Sequence, residues 1–200
     1  LSELRGTRVQ IDSFAISNVE SGARLTGIIK SLIGFTHALE ARVEDAELAR
    51  ALSGLNQFIE MKERAGRERA MLGVVFGQDR FDATLLASFS RNLGEFTAYL
   101  DGFRRTAAER LVGLLDQQMQ QGSAQEVARL QRLAFDVPIG QSLGVDSETW
   151  FETATSRIDL MGEVERQLAE HVGELAAASR DEARTALWMT LTAVIVALVA

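Results

Sequence analysis

The sequence predicts an all-α fold, an antiparallel helical bundle whose long C-terminal helix continues into a transmembrane segment. Three observations point there. Proline occurs once in 200 residues, and 46% apolar against 24% charged residues is enough to build a core, the composition of helices that little interrupts. Apolar residues recur at helical spacing almost without a break. The chain ends in ALWMTLTAVIVALVA, residues 186–200, fifteen positions without a charge.

The elements follow from sparse punctuation. A first helical segment covers about 3–40 and closes in the charged EARVED stretch, and a second covers about 45–76 and closes at Gly77. GQDRFD is a tight turn, with Asp79 or Asp82 as the N-cap of a third segment from about 82 to 120. QQGSAQE ends that helix at Gly122 and opens a fourth, about 124–135, through a capping box of Ser123 and Glu126. FDVPIGQSLGVDS holds Pro138 and two glycines and is the longest irregular connection.

Ser147 or Asp146 then caps a helix that meets no breaker before the chain ends. It would run for more than fifty residues, about 75 Å at 1.5 Å per residue. Its lower half is amphipathic, and its end is the apolar run, opened by Trp188 in the position of an interfacial aromatic. A bilayer span takes about 20 apolar residues, so the run reads as a transmembrane helix cut short. The chain also starts at Leu1, which reads as a fragment. The expected division is an extracytoplasmic helical domain over 1–185 and the start of a span over 186–200, which places the protein at the inner membrane.

A net charge of −7 and a pI near 5.0 speak against nucleic acid as a partner, because a phosphate backbone rewards a basic surface. The absence of cysteine excludes disulfides and thiolate metal sites. Neither His37 nor His171 stands in the Glu-x-x-His spacing of a di-iron bundle, and phosphate loops and nucleophile elbows are absent. No metal, cofactor or enzymatic activity is expected.

The unusual stretch is KERAGRERA, residues 62–70, which sets Lys62, Arg64, Arg67 and Arg69 together in an acidic chain. At 100° per residue from Lys62, the residues Phe58, Ala65, Leu72 and Phe76 fall between about 280° and 320°, a buried stripe. Lys62 and Arg69 lie on its margin, and Arg64 and Arg67 point away. Glu60 precedes Arg64 by four residues and Glu63 precedes Arg67 by four, the spacing and order of helix-stabilising pairs. Lys62 and Arg69 have no acid in register. Gly66 and Gly73 each cost a helix interior about 0.5–1 kcal/mol relative to alanine, so a close approach of a backbone or ligand is expected there. Two readings follow: Arg69 meets a glutamate from another helix, or its planar guanidinium receives a small oxyanion.

FIEMKERAGRERAMLGVVF, residues 58–76, resembles the signature of the nitrate- and nitrite-sensing (NIT) domain of bacterial receptors, with weaker similarity in LTGIIKSLIGF (25–35), the 80–120 helix and WFETATSRIDLMGEVERQL (150–168). The family's motif arginine falls on Arg69. The family's upstream arginine-bearing helix, reading like Gln-x-Glu-Arg-Gly, has no good counterpart; VESGAR (19–24) is the nearest text. The resemblance implies a helical sensor of nitrate or nitrite, a homodimeric receptor of the chemoreceptor or sensor-kinase kind, relaying its signal through the last helix into the membrane. Arg69 is the expected anion contact, Lys62 and Arg67 come second, and Arg157 could reach in from the last helix. The rival expectations are a helical sensor for a carboxylate or amino acid and a structural module that binds a partner protein.

Overall fold

The computed structural model describes the backbone of residues 2–199 and the side chains of residues 4–17 and 20–189. Among the described residues it is all-helical, and its contacts divide it into two compact units, residues 1–43 and 44–200. The division expected at residue 185 falls inside a continuous helix.

The first unit is a pair of helices, α1 (Ser2–Asp12) and α2 (Asn18–Glu40). A single helix over 3–40 was expected, and local hydrogen bonding explains the break. Ser13 turns its hydroxyl back to the carbonyl of Val9 at 2.8 Å, and Phe14 adopts a positive φ of 54°. The side chain of Ser17 then caps α2 by accepting from the Glu20 amide at 3.2 Å. Ser17 and Glu20 stand at the Ser-x-x-Glu spacing that marks a helix start.

The second unit is a four-column bundle of α3 (Ala46–Gly77), α4 (Ala83–Thr106), α5 (Glu109–Gln118) with α6 (Gly122–Asp136), and α7 (Ser147–Val199). Asp45, Asp82 and Asp146 cap α3, α4 and α7 through their carboxylates, which settles two alternatives left open by the sequence. Phe58 meets Phe103 and Arg64 meets Tyr99, so α3 and α4 are antiparallel. Lys62 meets Glu165 and Phe76 meets Trp150, so α3 and α7 are antiparallel as well.

The expected 82–120 helix is two helices, because Ala107 and Ala108 turn the chain and Ala107 comes to rest on α3. A Cβ added to Gly54 would lie 3.3 Å from the Ala107 Cα, so a larger residue there would push the turn outward. The capping box predicted for Ser123 and Glu126 does not form. α6 starts two residues earlier, at Gly122, without a side-chain cap, and Glu126 is held by Arg129 at 2.6 and 2.8 Å.

Two core clusters run up the bundle. One gathers Phe58, Met61, Ala65, Phe103, Leu111 and Met161; the other gathers Leu72, Phe76, Phe89, Val127, Leu130 and Trp150. The stripe of Phe58, Ala65, Leu72 and Phe76 is buried as its spacing predicted. Between these ends α3 is covered by α4 on one side and α7 on the other, which a single-stripe reading does not show.

The top of the bundle is tied by Asp79, which sits at a positive φ of 56°. Its carboxylate accepts from the Ser142 hydroxyl, the Gly144 amide at 2.8 Å and the Leu143 amide at 3.0 Å. These bonds, led by Ser142, hold the Asp79 carboxyl below the ordinary aspartate range. A depressed folded-state pKa contributes stability above the unfolded value that is lost as pH falls through the folded one. In thermal melts Asp79→Asn is therefore expected to be less stable than the native chain at pH 7, with the gap closing below about pH 4.

The helical bundle is as expected; the transmembrane continuation is not supported. Among the described residues no helix is long and apolar enough to cross a membrane. The side chains of 190–200, most of the expected span, lie outside the described residues.

Candidate functional site

The four cations of α3 take four different surroundings. Lys62 forms an ion pair with Glu165 of α7, so its lack of a local acid is made good across the helix interface. Arg67 pairs with Glu63 at 2.9 Å, as the spacing predicted. Arg64 lies 3.2 Å from Glu60 and 2.6 Å from Glu95 of α4, with its guanidinium 5.2 Å from the centre of the Tyr99 ring. It is 9% exposed, buried by α4 on the face that the sequence assigned to solvent.

Arg69 has no carboxylate partner among the described residues. Its Nη1 donates to the Thr155 hydroxyl at 2.9 Å, and its guanidinium lies over the Phe151 ring, 4.6 Å from the centroid. Phe151 and Thr155 are one turn apart on α7 and together fix the plane of the guanidinium. The Trp150 indole donates to the Arg69 carbonyl at 2.9 Å, which anchors the same turn of α3 from its other side. The glutamate from another helix is not there, and one alternative of the sequence reading falls.

The two glycines beside Arg69 do not serve close packing. A Cβ added at Gly66 or Gly73 would meet nothing within 4 Å, so both leave open space around this cation. Gly66→Ala is expected to raise stability by about 0.5–1 kcal/mol, measured by urea unfolding, because the helix gains propensity without a clash.

Arg157 points inward to Glu68 of α3 at 2.8 Å, with side-chain exposures of 5% and 1%. Its guanidinium is 5.7 Å from the centre of the Phe96 ring, and the second oxygen of Glu68 accepts from Gln131 of α6 at 2.6 Å. Helix α3 thus brings Arg69 to the edge of α7 and Glu68, its neighbour in sequence, into the core. The sequence reading missed Glu68, although the signal was present: Met61, Glu68 and Val75 are spaced by seven residues, and all three are buried. Thr155 and Phe151 carried no signal of their own, since contacts across 86 residues of chain are set by helix register.

A cavity of about 560 Å³ lies elsewhere, between the start of α3 and the end of α4, bordered by Arg50, Arg105, Glu109 and His171. None of Lys62, Arg67, Arg69 and Arg157 borders it.

Comparison with known proteins is consistent with this bundle. The family described as nitrate and nitrite sensing matches residues 1–173. A nitrate regulatory protein of Klebsiella oxytoca is 24% identical over 168 residues, 84% of this chain and 42% of the relative. The solved structure of the NasR transcription antiterminator superposes with a TM-score of 0.78 at 24% identity, covering 89% of this chain and 48% of that one, a likeness of fold. The chain spans less than half the length of either.

These relatives overturn the expectation of a receptor that relays a signal into the inner membrane, together with its chemotaxis context and its membrane partner. One is a nitrate regulatory protein and the other a transcription antiterminator, and no described helix can cross a membrane. The expected span rested on the apolar run at 186–200 alone, and the side chains of 190–200 lie outside the described residues. The exclusion of nucleic acid is corrected too, because one of these relatives is a transcription antiterminator and the net charge of the shared region says nothing about the other half of that relative. The nitrate-sensing resemblance itself is confirmed over 173 of 200 residues, and the chain belongs to the nitrate- and nitrite-sensing (NIT) family.

Proposed function

We propose that this chain is the sensing module of a nitrate- and nitrite-responsive regulatory protein, and that Arg69 makes the direct contact with the oxyanion. The single observation that carries the site is the state of Arg69. Of the four cations in the family's motif stretch it alone lacks a carboxylate among the described residues, while Thr155 and Phe151 hold its plane and Gly66 and Gly73 keep the space beside it open. Capture is by charge and paired N–H donors, with no covalent chemistry. Lys62 and Arg67 are engaged by Glu165 and Glu63 and serve the packing of α3.

Isothermal titration of the chain with sodium nitrate and sodium nitrite, with sodium acetate for comparison, tests this. Arg69→Ala is expected to weaken nitrate binding by about tenfold or more, the worth of a charge-assisted hydrogen bond. An unchanged affinity in the folded variant would remove Arg69 from the site.

A further inference from the structure

The buried pair of Glu68 and Arg157 is incompletely bonded. The Nε and Nη2 of a guanidinium form a parallel edge that a planar oxyanion grips at two points. In Arg157, Nη2 donates to Glu68 Oε2 at 2.8 Å, but the buried Nε has no partner. The other carboxylate oxygen is engaged by Gln131 at 2.6 Å, so Glu68 fills half of the grip. A second unfilled donor lies one turn earlier on α3: Nη1 of Arg64 is buried and without a partner, while the other nitrogens of that guanidinium face Glu60 and Glu95. Arg64 and Glu68 are four residues apart, a spacing at which helix side chains meet. Buried donors left without partners are costly and rare in folded proteins, and one of them belongs to the guanidinium that Glu68 half fills, the other to the residue one helical turn before Glu68.

The geometry points to Glu68 as an internal stand-in for the oxyanion, seated on a second anion subsite formed by Arg157. In the unliganded chain its carboxylate occupies Arg157. Nitrate or nitrite takes both Nε and Nη2 when Glu68 leaves, and the released carboxylate moves to Nη1 of Arg64. This rests on the nitrate-sensing reading above and adds to it a subsite and a competitor. Two guanidiniums, Arg64 and Arg157, face the three carboxylates Glu60, Glu68 and Glu95, so a further anion is disfavoured while Glu68 stays charged and in place. Glu68 and Arg157 are sealed by α4, α6 and α7, and exchange requires α6 or α7 to shift against α3. The apparent affinity is then the intrinsic affinity reduced by the fraction of molecules in which Arg157 is free.

The test is calorimetric titration of the full chain with sodium nitrate in the native form, in Glu68→Gln and in Glu68→Gln/Arg157→Gln, each checked for helicity by circular dichroism. Glutamine preserves the shape and the bond to Gln131 while removing the competing charge. The expected result is nitrate binding about tenfold tighter in Glu68→Gln, with the gain abolished in the double variant. If Glu68→Gln does not fold, Glu68→Asp, which withdraws the carboxylate by one methylene, is expected to tighten binding by a smaller factor. Equal affinities in the native chain and the folded Glu68 variant overturn the inference and leave nitrate sensing standing, as does a gain that survives in the double variant. Binding by the variant alone supports it. No binding by either folded form overturns both this inference and the nitrate-sensing reading.

Discussion

Trp150→Ala is expected to cost about 3–5 kcal/mol of stability, the range for truncating a large aromatic in a packed core, and to lower the melting temperature by roughly 10 °C for a chain of this size. Trp150 is fully buried, packs edge-on against Phe76 with ring centres 5.4 Å apart, and shares a core cluster with Leu72, Phe89 and Val127. Its truncation leaves a void where α3, α6 and α7 meet. The Arg69 carbonyl also loses the indole N–H bond that it accepts in addition to its helical bond. Urea unfolding followed by circular dichroism measures the first effect. Nitrate titration of the folded variant measures the second, expected as weaker binding, because the turn of α3 that carries Arg69 loses its anchor.

Arg157→Met is expected to destabilise by a similar amount, about 3–5 kcal/mol, through a different cause. The cost comes from removing the ion-pair partner of a buried charge: Glu68, 1% exposed in its side chain, is bonded in the native chain to Arg157 and the neutral Gln131, and a move to Arg64 would break the bond arrangement around it. Replacing both members of a buried pair by apolar residues of similar volume removes the stranded charge, so Glu68→Met/Arg157→Met is expected to be clearly more stable than Arg157→Met alone. Chemical denaturation of the three forms measures this coupling. Equal destabilisation in the single and double variants would show that packing, rather than charge, dominates at this position.

The sequence made much of this fold legible, and the reasons differ by element. α3 was placed to within a residue at each end because Asp45 and Gly77 are local signals and its apolar stripe is periodic over 32 residues. The break at 107–108 was hidden, since RRTAAER contains no glycine or proline and the turn is settled by Ala107 packing against Gly54, more than fifty residues away in the chain. Local pairing assigned Arg67 to Glu63 correctly. It could not assign Lys62 to Glu165, or Arg64 to Glu95, because those partners arrive on other helices. Arg69 shared with Lys62 the lack of an acid in register, and among the described residues it meets none from other helices. Glu68 was passed over because it lies beside the recognised stripe of Phe58, Ala65, Leu72 and Phe76, on a face whose burial depends on the opposing Arg157 of α7. The apolar end of α7 misled for the reverse reason: a strong local pattern was taken for a membrane function that the nitrate regulatory and antiterminator relatives do not share.

The fourth column of the bundle is assembled from two short helices, α5 of 10 residues and α6 of 15, interrupted at Met119–Gln121. The regular helical ladder gives way at that joint to turn bonds, from the Gln120 amide to Gln117 at 3.2 Å and the Gln121 amide to Gln118 at 3.1 Å, so α6 can open without unwinding α5, whereas α3 spans both core clusters as one piece of 32 residues. Sub-global opening is drawn from such weakly braced segments. Amide protons of α6 should consequently exchange with solvent ahead of those of α3. Gln131, the residue of α6 that grips Glu68, rides on a segment that can let go before the remainder of the bundle does.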